Sequence, residues 1–378
     1  MESSRDMNTV GGTETSGNRS TMRAKVANEP AICVSAPRLL HSTHETAASQ
    51  WICRVRDRDD GKANSYQSDT MTPQHTKLFT IGRRCGRLAN RLILFANFIA
   101  LAEEQGHRLI NYTFHSYSGL FEATRNNLHC AYPVPRRISW LDRIPGLGAV
   151  LRRSRIFYHL TRYASVLNGR LPIFGGKVLT LFQLKEHFIT PLDGPEVQEK
   201  IRPARIVFVY GWRFRAPDLV RKHADKIRAY FRPRAEFQTA SRAAVEPLRR
   251  DADVVIGVHV RHGDYRGWKN GRYFYPVERY ATWMRDLAAQ FPGRRVSFLV
   301  CSDERRRAEE FPGLTVGFGT PSPVSDVFAL SLCDYILGPK STFSQWASFY
   351  GGKPLLHLLD VNDSVRLENF RVCYLNWD

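Results

Sequence analysis

Val254-Val255-Ile256-Gly257-Val258-His259-Val260-Arg261-His262-Gly263-Asp264-Tyr265 is the stretch on which the fold turns. Its first seven residues are almost unbroken in apolar character and mostly β-branched, and they end abruptly in a cluster of ionisable groups. A short run rich in Val and Ile reads as a strand buried on both faces, the kind found in parallel α/β sheets. Ligands of such sheets bind beyond the carboxyl ends of the strands, so His259, Arg261, His262 and Asp264 fall where a ligand belongs. Gly263 lets the chain turn sharply and brings its backbone close to whatever is bound. The plainer alternative is a buried strand followed by a solvated polar turn. An Arg next to a Gly-Asp turn directly at a strand exit argues for the ligand.

Two further strand exits follow downstream. Pro276 suits a helix start, and Tyr280, Trp283, Met284, Leu287 and Ala288 recur at helical period. The run Val296–Cys301 reads as a strand ending in Ser302-Asp303-Glu304, which again puts a carboxylate at an exit. Ser325 reads as the N-cap of a helix reaching Leu332, with Asp326 in its first turn. Tyr335–Gly338 then leads into Pro339-Lys340-Ser341-Thr342-Phe343-Ser344-Gln345-Trp346-Ala347, where hydroxyls and free N–H groups at a helix start make a phosphate cradle. The last strand is Pro354–Leu358. Arg and His, Asp, and a Ser/Thr helix start together describe a pocket for a phosphorylated ligand.

Upstream, Lys77–Ile81 reads as a strand running into Gly82-Arg83-Arg84-Cys85-Gly86-Arg87-Leu88-Ala89-Asn90-Arg91 and an apolar helix that ends near Gln105-Gly106-His107. The next strand is Arg108–Tyr112. This βαβ opening belongs to a doubly wound domain, but its glycines are not spaced as G-x-G-x-x-G, so no dinucleotide fingerprint is present. Arg87 and Asn90 are the candidate ligand-facing residues of this half. A strand at Arg205–Tyr210 leads to Gly211-Trp212, and Pro217–Phe231 reads as one helix. The chain divides into a disordered extension over 1–76, an N-terminal lobe over 77–235 and a C-terminal lobe over 236–378.

Composition limits the function classes. The 378 residues carry 55 Lys or Arg against 36 Asp or Glu, a formal net charge of +19. Residues 1–76 hold nine basic and nine acidic side chains, so the whole excess lies in 77–378, which attracts polyanions, anionic lipid or a phosphate-bearing small molecule. Seven scattered cysteines without a C-x-x-C pair argue for reduced thiols, a cytosolic setting and no zinc site. No apolar run is long enough to span a bilayer, and the N-terminus lacks a hydrophobic signal core. Residues 132–185 hold ten Lys or Arg and one acid, Asp142, interleaved with aromatics. Three readings of that segment stay open: peripheral contact of residues 136–177 with an anionic membrane, a solvated basic face, or nucleic-acid binding. No RNA- or DNA-binding motif is present to support the last.

Taken together, His259-x-Arg261-x-Gly263-Asp264, then Ser302-Asp303, then Ser341-Thr342-Phe343-Ser344-x-Trp346-Ala347 resemble the three motifs of the family-11 α-1,2-fucosyltransferases. They are more distantly similar to the α-1,6- and protein O-fucosyltransferases. Gly86-Arg87-Leu88-Ala89-Asn90-Arg91 looks like the superfamily's Gly-x-x-Gly-Asn segment, and Tyr210-Gly211-Trp212 like its Gly-Tyr element. The resemblance implies an α/β GT-B fold, two Rossmann-like lobes facing across a cleft. It implies inverting transfer of fucose from GDP-β-L-fucose to a glycan acceptor without a metal or other cofactor. On that basis Arg261 would grip the β-phosphate, and Ser341, Thr342 and Ser344 would bind phosphate oxygens. Asp303 would lie near guanine or ribose, His259 would shape the diphosphate site, and Arg87, Asn90 and Trp212 would line the acceptor side. On the same basis Arg261, His259 and Asp264 would form the catalytic set, with the general base open among His259, His262 and Asp264, and Asp264 equally readable as a structural group that bonds the N–H groups of its own turn. The family has a second Arg where His262 stands, which would make one charge on the donor pH-dependent. Ala89 replaces the expected second glycine, and Gln345 an aromatic. Two other classes remain: a metal-dependent hydrolase with His259, His262 and Asp264 as ligands, and a nucleic-acid-binding protein.

Overall fold

Strands form where apolar β-branched runs can be covered on both faces, and the chain offers two such sets. The computed structural model describes residues 76–137, 139–144, 146–171, 177–183 and 188–376. The extension expected over 1–76 lies outside these residues, Thr76 excepted.

The first half runs β1 (Leu78–Ile81), α1 (Leu88–Gln105) and β2 (Arg108–Ile110), then a 3-10 turn over Tyr112–Leu120. The helices α2 (Glu122–Arg125), α3 (Trp140–Arg143), α4 (Leu147–Ser154) and α5 (Ile156–Arg170) follow, then β3 (Val178–Phe182), β4 (Thr190–Pro191) and α6 (Pro195–Ile201). It closes with β5 (Ile206–Tyr210), β6 (Phe214–Arg215), α7 (Pro217–Lys222) and α8 (Ala224–Tyr230). Its main sheet has the order β2-β1-β5-β3 with every pair parallel. The helix expected over Pro217–Phe231 is two, because the backbone of His223 leaves helical geometry between them.

The second half comprises α9 (Ala235–Asp251), β7 (Val254–Val260), α10 (Val277–Ala288), β8 (Val296–Ser302), β9 (Val316–Phe318), α11 (Pro323–Leu332), β10 (Tyr335–Pro339), α12 (Thr342–Gly351), β11 (Pro354–Leu358) and β12 (Arg371–Val372). The six strands lie in the order β12-β11-β10-β7-β8-β9. All pairs are parallel except β12, an antiparallel edge strand that the sequence pattern did not disclose. Two parallel sheets, each followed by helices, make the two-lobed α/β architecture of the GT-B class.

All seven residues of β7 are buried, as its unbroken pattern requires. Alternate side chains enter different cores. Val255 joins a cluster that also contains Phe95, Phe231, Phe328 and Trp346, whereas Val254, Ile256, Val258 and Val260 join one built on Tyr275, Tyr280 and Trp283. The first cluster draws on both halves of the chain. Phe231 meets Trp346 edge-on at 5.2 Å, and Arg228 donates to the Phe349 carbonyl from Nε at 3.0 Å and Nη2 at 2.8 Å. Burying rings of this size stabilises by roughly 1.5–3 kcal/mol each, so the two sheets are locked by a common core. Helix α1 is buried almost all round, which explains why its sequence reads as apolar without a polar face.

One expected cap is corrected. Helix α11 starts at Pro323, and Ser322 is its N-cap, accepting from the Ser325 backbone N–H at 3.4 Å. Ser325 is buried one turn further in. Proline favours the first helical position, where its fixed φ fits and its missing N–H costs nothing.

Burial sets a pH limit on this fold. His107, His115, His259 and His357 are all enclosed, and burial lowers their pKa values from 6.5 to about 4, about 4, about 3 and about 4. The unfolded chain therefore binds up to four more protons than the native one once the pH falls below 6.5. Asp326 acts in the opposite sense, because burial raises its carboxyl from 3.8 to about 6 and the native state gains a proton first. A net difference of about three protons near pH 5 corresponds to roughly 4 kcal/mol of stability lost per pH unit. The melting temperature should fall progressively from pH 6.5 to pH 5, and a flat profile over that range would contradict the buried-histidine account.

Candidate active site at the strand exits

The register of the second sheet brings the chemistry together. Val260 on β7 lies beside Ser302 on β8, and Leu337 on β10 beside Val258, so the three strands empty their next residues at neighbouring points. Arg261 is the centre. Its Nη2 donates to Asp264 Oδ1 at 2.6 Å, its Nη1 stands 3.1 Å from Asp303 Oδ2, and the guanidinium lies over the Tyr265 ring at 5.7 Å. Asp303 is occupied twice, since its Oδ1 accepts from the His262 backbone N–H at 2.9 Å. Asp303 therefore holds the Arg261 turn.

Gly263 is dictated by that arrangement. A Cβ there would come within 2.5 Å of Asp303 Oδ2. The glycine serves the close approach of a carboxylate to the backbone.

His262 is held by the protein as well. Its side chain is buried, Nε2 bonds to the Tyr275 carbonyl at 2.7 Å, and Nδ1 lies 2.7 Å from Arg306 Nη2. A guanidinium only donates, so Nδ1 accepts and Nε2–H donates. Both ring nitrogens are engaged by the protein. Arg306 completes this buttress with bonds to Glu304 at 2.6 Å and Glu310 at 3.2 Å. Nothing in the Arg305-Arg306-Arg307 run marks it out in the sequence.

His259 is buried against Phe343, ring centroids 4.9 Å apart, and its Nδ1 has no hydrogen-bond partner among the described residues. Burial first, then Arg261 and His357, bring its pKa to about 3. It is a neutral ring at physiological pH and a weak base. Tyr265 ties β7 to the next exit by donating to the Lys340 carbonyl at 2.8 Å, and burial pushes its hydroxyl up to about 12, which keeps that proton in place. There Ser341 caps α12, accepting from the Phe343 N–H at 3.2 Å, and Thr342 opens the helix. Ser344 is different. It is fully buried, donates to the Ser341 carbonyl at 3.1 Å and faces His357 Nε2 at 3.4 Å, so its hydroxyl is not offered to a phosphate.

The first lobe contributes the turn after β1. Gly86 has φ +55°, and a Cβ there would stand 1.9 Å from Asn90 Nδ2, so the Asn90 side chain occupies the space a larger residue would need. Arg91 locks the turn from behind with bonds to the Gly86 carbonyl at 3.3 Å and 3.1 Å and to the Thr113 carbonyl at 2.9 Å. It lies within the quoted segment, yet only its burial reveals the role. Arg87 reaches across to the second lobe, 3.5 Å from Asp264 Oδ2. Trp212 lies under two guanidinium groups, those of Arg213 at 4.9 Å and Arg215 at 5.6 Å, and its backbone N–H donates to Gln183.

Residues 221–377 match the model of glycosyl transferase family 11. The resemblance carried by the three motifs stands over that region. No curated protein matches the chain. Among solved structures, an Arabidopsis thaliana FUT1 point mutant in complex with GDP is similar at 16% identity and TM-score 0.48, covering 80% of this chain and 74% of that one. NodZ α-1,6-fucosyltransferase soaked with GDP-fucose is similar at 17% identity and TM-score 0.43, covering 78% and 97%. POFUT1 in complex with GDP is similar at 9% and 0.41, covering 74% and 95%. Every residue of the Arg261 cluster falls inside the family 11 match. The hydrolase alternative fares poorly on geometry: His262 has both ring nitrogens engaged, Asp264 pairs with Arg261 and Arg87, and among the described residues no group of three His, Cys, Asp or Glu could hold a metal.

Gly263→Ala should break the cluster at its tightest point. Urea unfolding should show a loss of about 1–3 kcal/mol from the forced displacement of Asp303. An alanine variant as stable as the wild type would mean that the turn does not require the close approach.

Proposed function

We propose that this protein is an inverting fucosyltransferase that moves L-fucose from GDP-β-L-fucose to a sugar hydroxyl of a glycan, forming an α-1,2 linkage to galactose. The observation that carries this reading is Arg261, held between Asp264 and Asp303 at the exit of β7 inside the family 11 match. Residues 236–378 form the donor lobe and residues 77–235 the acceptor lobe. The activity belongs in the cytoplasm, in peripheral contact with an anionic membrane face; no described helix is long and apolar enough to cross a bilayer.

A guanidinium has five N–H groups in a rigid fork, and the two carboxylates engage one from each Nη. The rest remain for a diphosphate. As the anomeric C–O bond breaks, negative charge builds on the departing β-phosphate, and a fixed guanidinium stabilises it without reorganising. Thr342 and the start of α12 add N–H and hydroxyl donors on the same side, the usual setting for a phosphate. Ser341 sets the start of the helix, its oxygen capping the Phe343 N–H. His259 walls the site as a neutral ring. The acceptor proton goes to Asp264 on grounds of position: it is the half-exposed carboxylate that Arg261 and Arg87 hold between the two lobes, whereas His259 is buried against Phe343. No step calls on a metal. Arg87, Asn90 and Trp212 face the acceptor from the first lobe.

The test is titration of GDP by calorimetry in the presence of a chelator. Arg261→Ala should weaken binding by roughly 10- to 100-fold, the worth of a lost charge-assisted contact. Arg261→Lys should be nearly as poor, since a point charge cannot reproduce the fork. Wild-type protein that binds GDP only after metal is added would overturn the metal-free reading, and an Arg261→Ala variant with unchanged affinity would remove Arg261 from the site.

Asp264→Asn separates the second role. Its expected signature is a fall in kcat of about 100-fold with GDP affinity altered far less. A loss confined to GDP binding would make Asp264 a holder of Arg261 and leave the acceptor proton to another group.

A further inference from the structure

Helix α5 is built inside out. Its buried positions are Tyr158, Thr161, Ser165 and Asn168, and Ser165 and Asn168 meet the first sheet through hydrogen bonds. Asn168 Nδ2 donates to the Val178 carbonyl at 3.2 Å, and Thr180 Oγ1 donates to the Ser165 carbonyl at 2.8 Å. Its outward positions are apolar: Ile156 is 48% exposed, Leu160 59%, Tyr163 71% and Leu167 46%. At 100° per residue these four fall within an arc of about 60°, a continuous stripe along the helix. A helix folded only for its own lobe would place these groups the other way round. Trp140 on α3 and Val150 on α4 are exposed to a similar degree, 68% and 61%, so the apolar surface continues beyond α5.

The charge around the stripe has one sign. Arg155, Arg162 and Arg170 are exposed and flank the same side of it. From Arg143 to Lys185 the chain contains no Asp or Glu at all. The acid just before, Asp142, is buried and paired with Arg152 at 3.0 Å, so it does not offset the surface charge. A protein partner could cover an apolar stripe, but a stripe edged by arginines without acids is complementary to a surface that is apolar inside and anionic at its rim. Tyr163 and Trp140 are the side chains that settle at the boundary between acyl chains and headgroups.

We infer that the outward face of α5, with Ile156, Leu160, Tyr163 and Leu167 as its apolar stripe and Arg155, Arg162 and Arg170 as its basic edge, docks on an anionic lipid bilayer. It lies in the interface plane without crossing it. This deepens the peripheral location given above and is independent of the donor chemistry. Docking here bears on the cleft, because Arg84, in the turn after β1, lies over the α5 ring of Tyr158 at 5.4 Å. The same turn carries Arg87 towards Asp264.

The experiment is vesicle flotation of the full chain. Wild-type protein should float with phosphatidylcholine vesicles containing phosphatidylglycerol, should remain behind with phosphatidylcholine alone, and should be released by added salt. Leu160→Gln combined with Leu167→Gln, and separately Arg162→Glu combined with Arg170→Glu, should each reduce flotation by about tenfold or more. Both variants should retain the wild-type affinity for GDP and the wild-type melting temperature. Equal binding to neutral vesicles, no binding to anionic ones, or flotation unchanged in the variants would overturn the proposal. Sedimentation showing a dimer that the Gln variant dissolves would assign the face to a second copy, and retention on nucleic acid in preference to vesicles would assign it to a polyanion; either result also overturns it. Failure of flotation with GDP binding intact would leave the proposed transfer reaction standing.

Discussion

A guanidinium between two carboxylates, set where parallel strands end, is the arrangement around which the second lobe is organised. Asp303 can reach Arg261 only because Gly263 has no side chain, and it bonds the His262 backbone at the same time. His262 and Arg306 then brace the turn from below, and Tyr265 links it to the loop that starts α12. Each of these groups is positioned by the one before it. An unpaired arginine at a strand exit would swing through many rotamers; one tied at both Nη atoms is held in place.

The two lobes are tied by packing and by charge at different levels. Deep in the molecule, Phe231, Phe121, Trp346 and Phe328 form one aromatic core that neither sheet completes alone. Near the site the link is thinner: Arg87 meets Asp264 at 3.5 Å, between side chains that are 73% and 49% exposed. Exposed pairs of this kind contribute little to stability. The aromatic core, not this contact, holds the lobes together.

Much of the frame could be read from the residues. The β7 run was identified as a buried parallel strand, and the β1 to β2 opening as a βαβ unit, because apolar period and turn chemistry are local properties. The three motif segments are legible for the same reason, and Arg261 lies directly after β7, paired with two carboxylates. What the motifs do not disclose is the protein's own use of these groups: His262, Asp303 and Ser344 each make hydrogen bonds within the fold. A side chain's direction at a strand exit depends on which neighbouring strand supplies a partner, and that partner lies 41 residues away for the His262 N–H. Arg91 and Arg306 were passed over for the complementary reason, since a buried arginine looks in sequence like any surface one.

The amino-acid sequence by itself determined the α/β class, the places where strands empty into polar turns, the basic character of residues 77–378 and the motif order that resembles family 11. Those follow from residue type and spacing along the chain. Tertiary structure alone decided which polar groups remain for a ligand and which are consumed as supports. It also decided that the apolar stripe of α5 faces outward. Periodicity reveals that a helix has an apolar side but not which side meets the core, because that depends on what the neighbouring strand offers. Here it offered Thr180 and a backbone carbonyl to Ser165 and Asn168, and the polar side turned in.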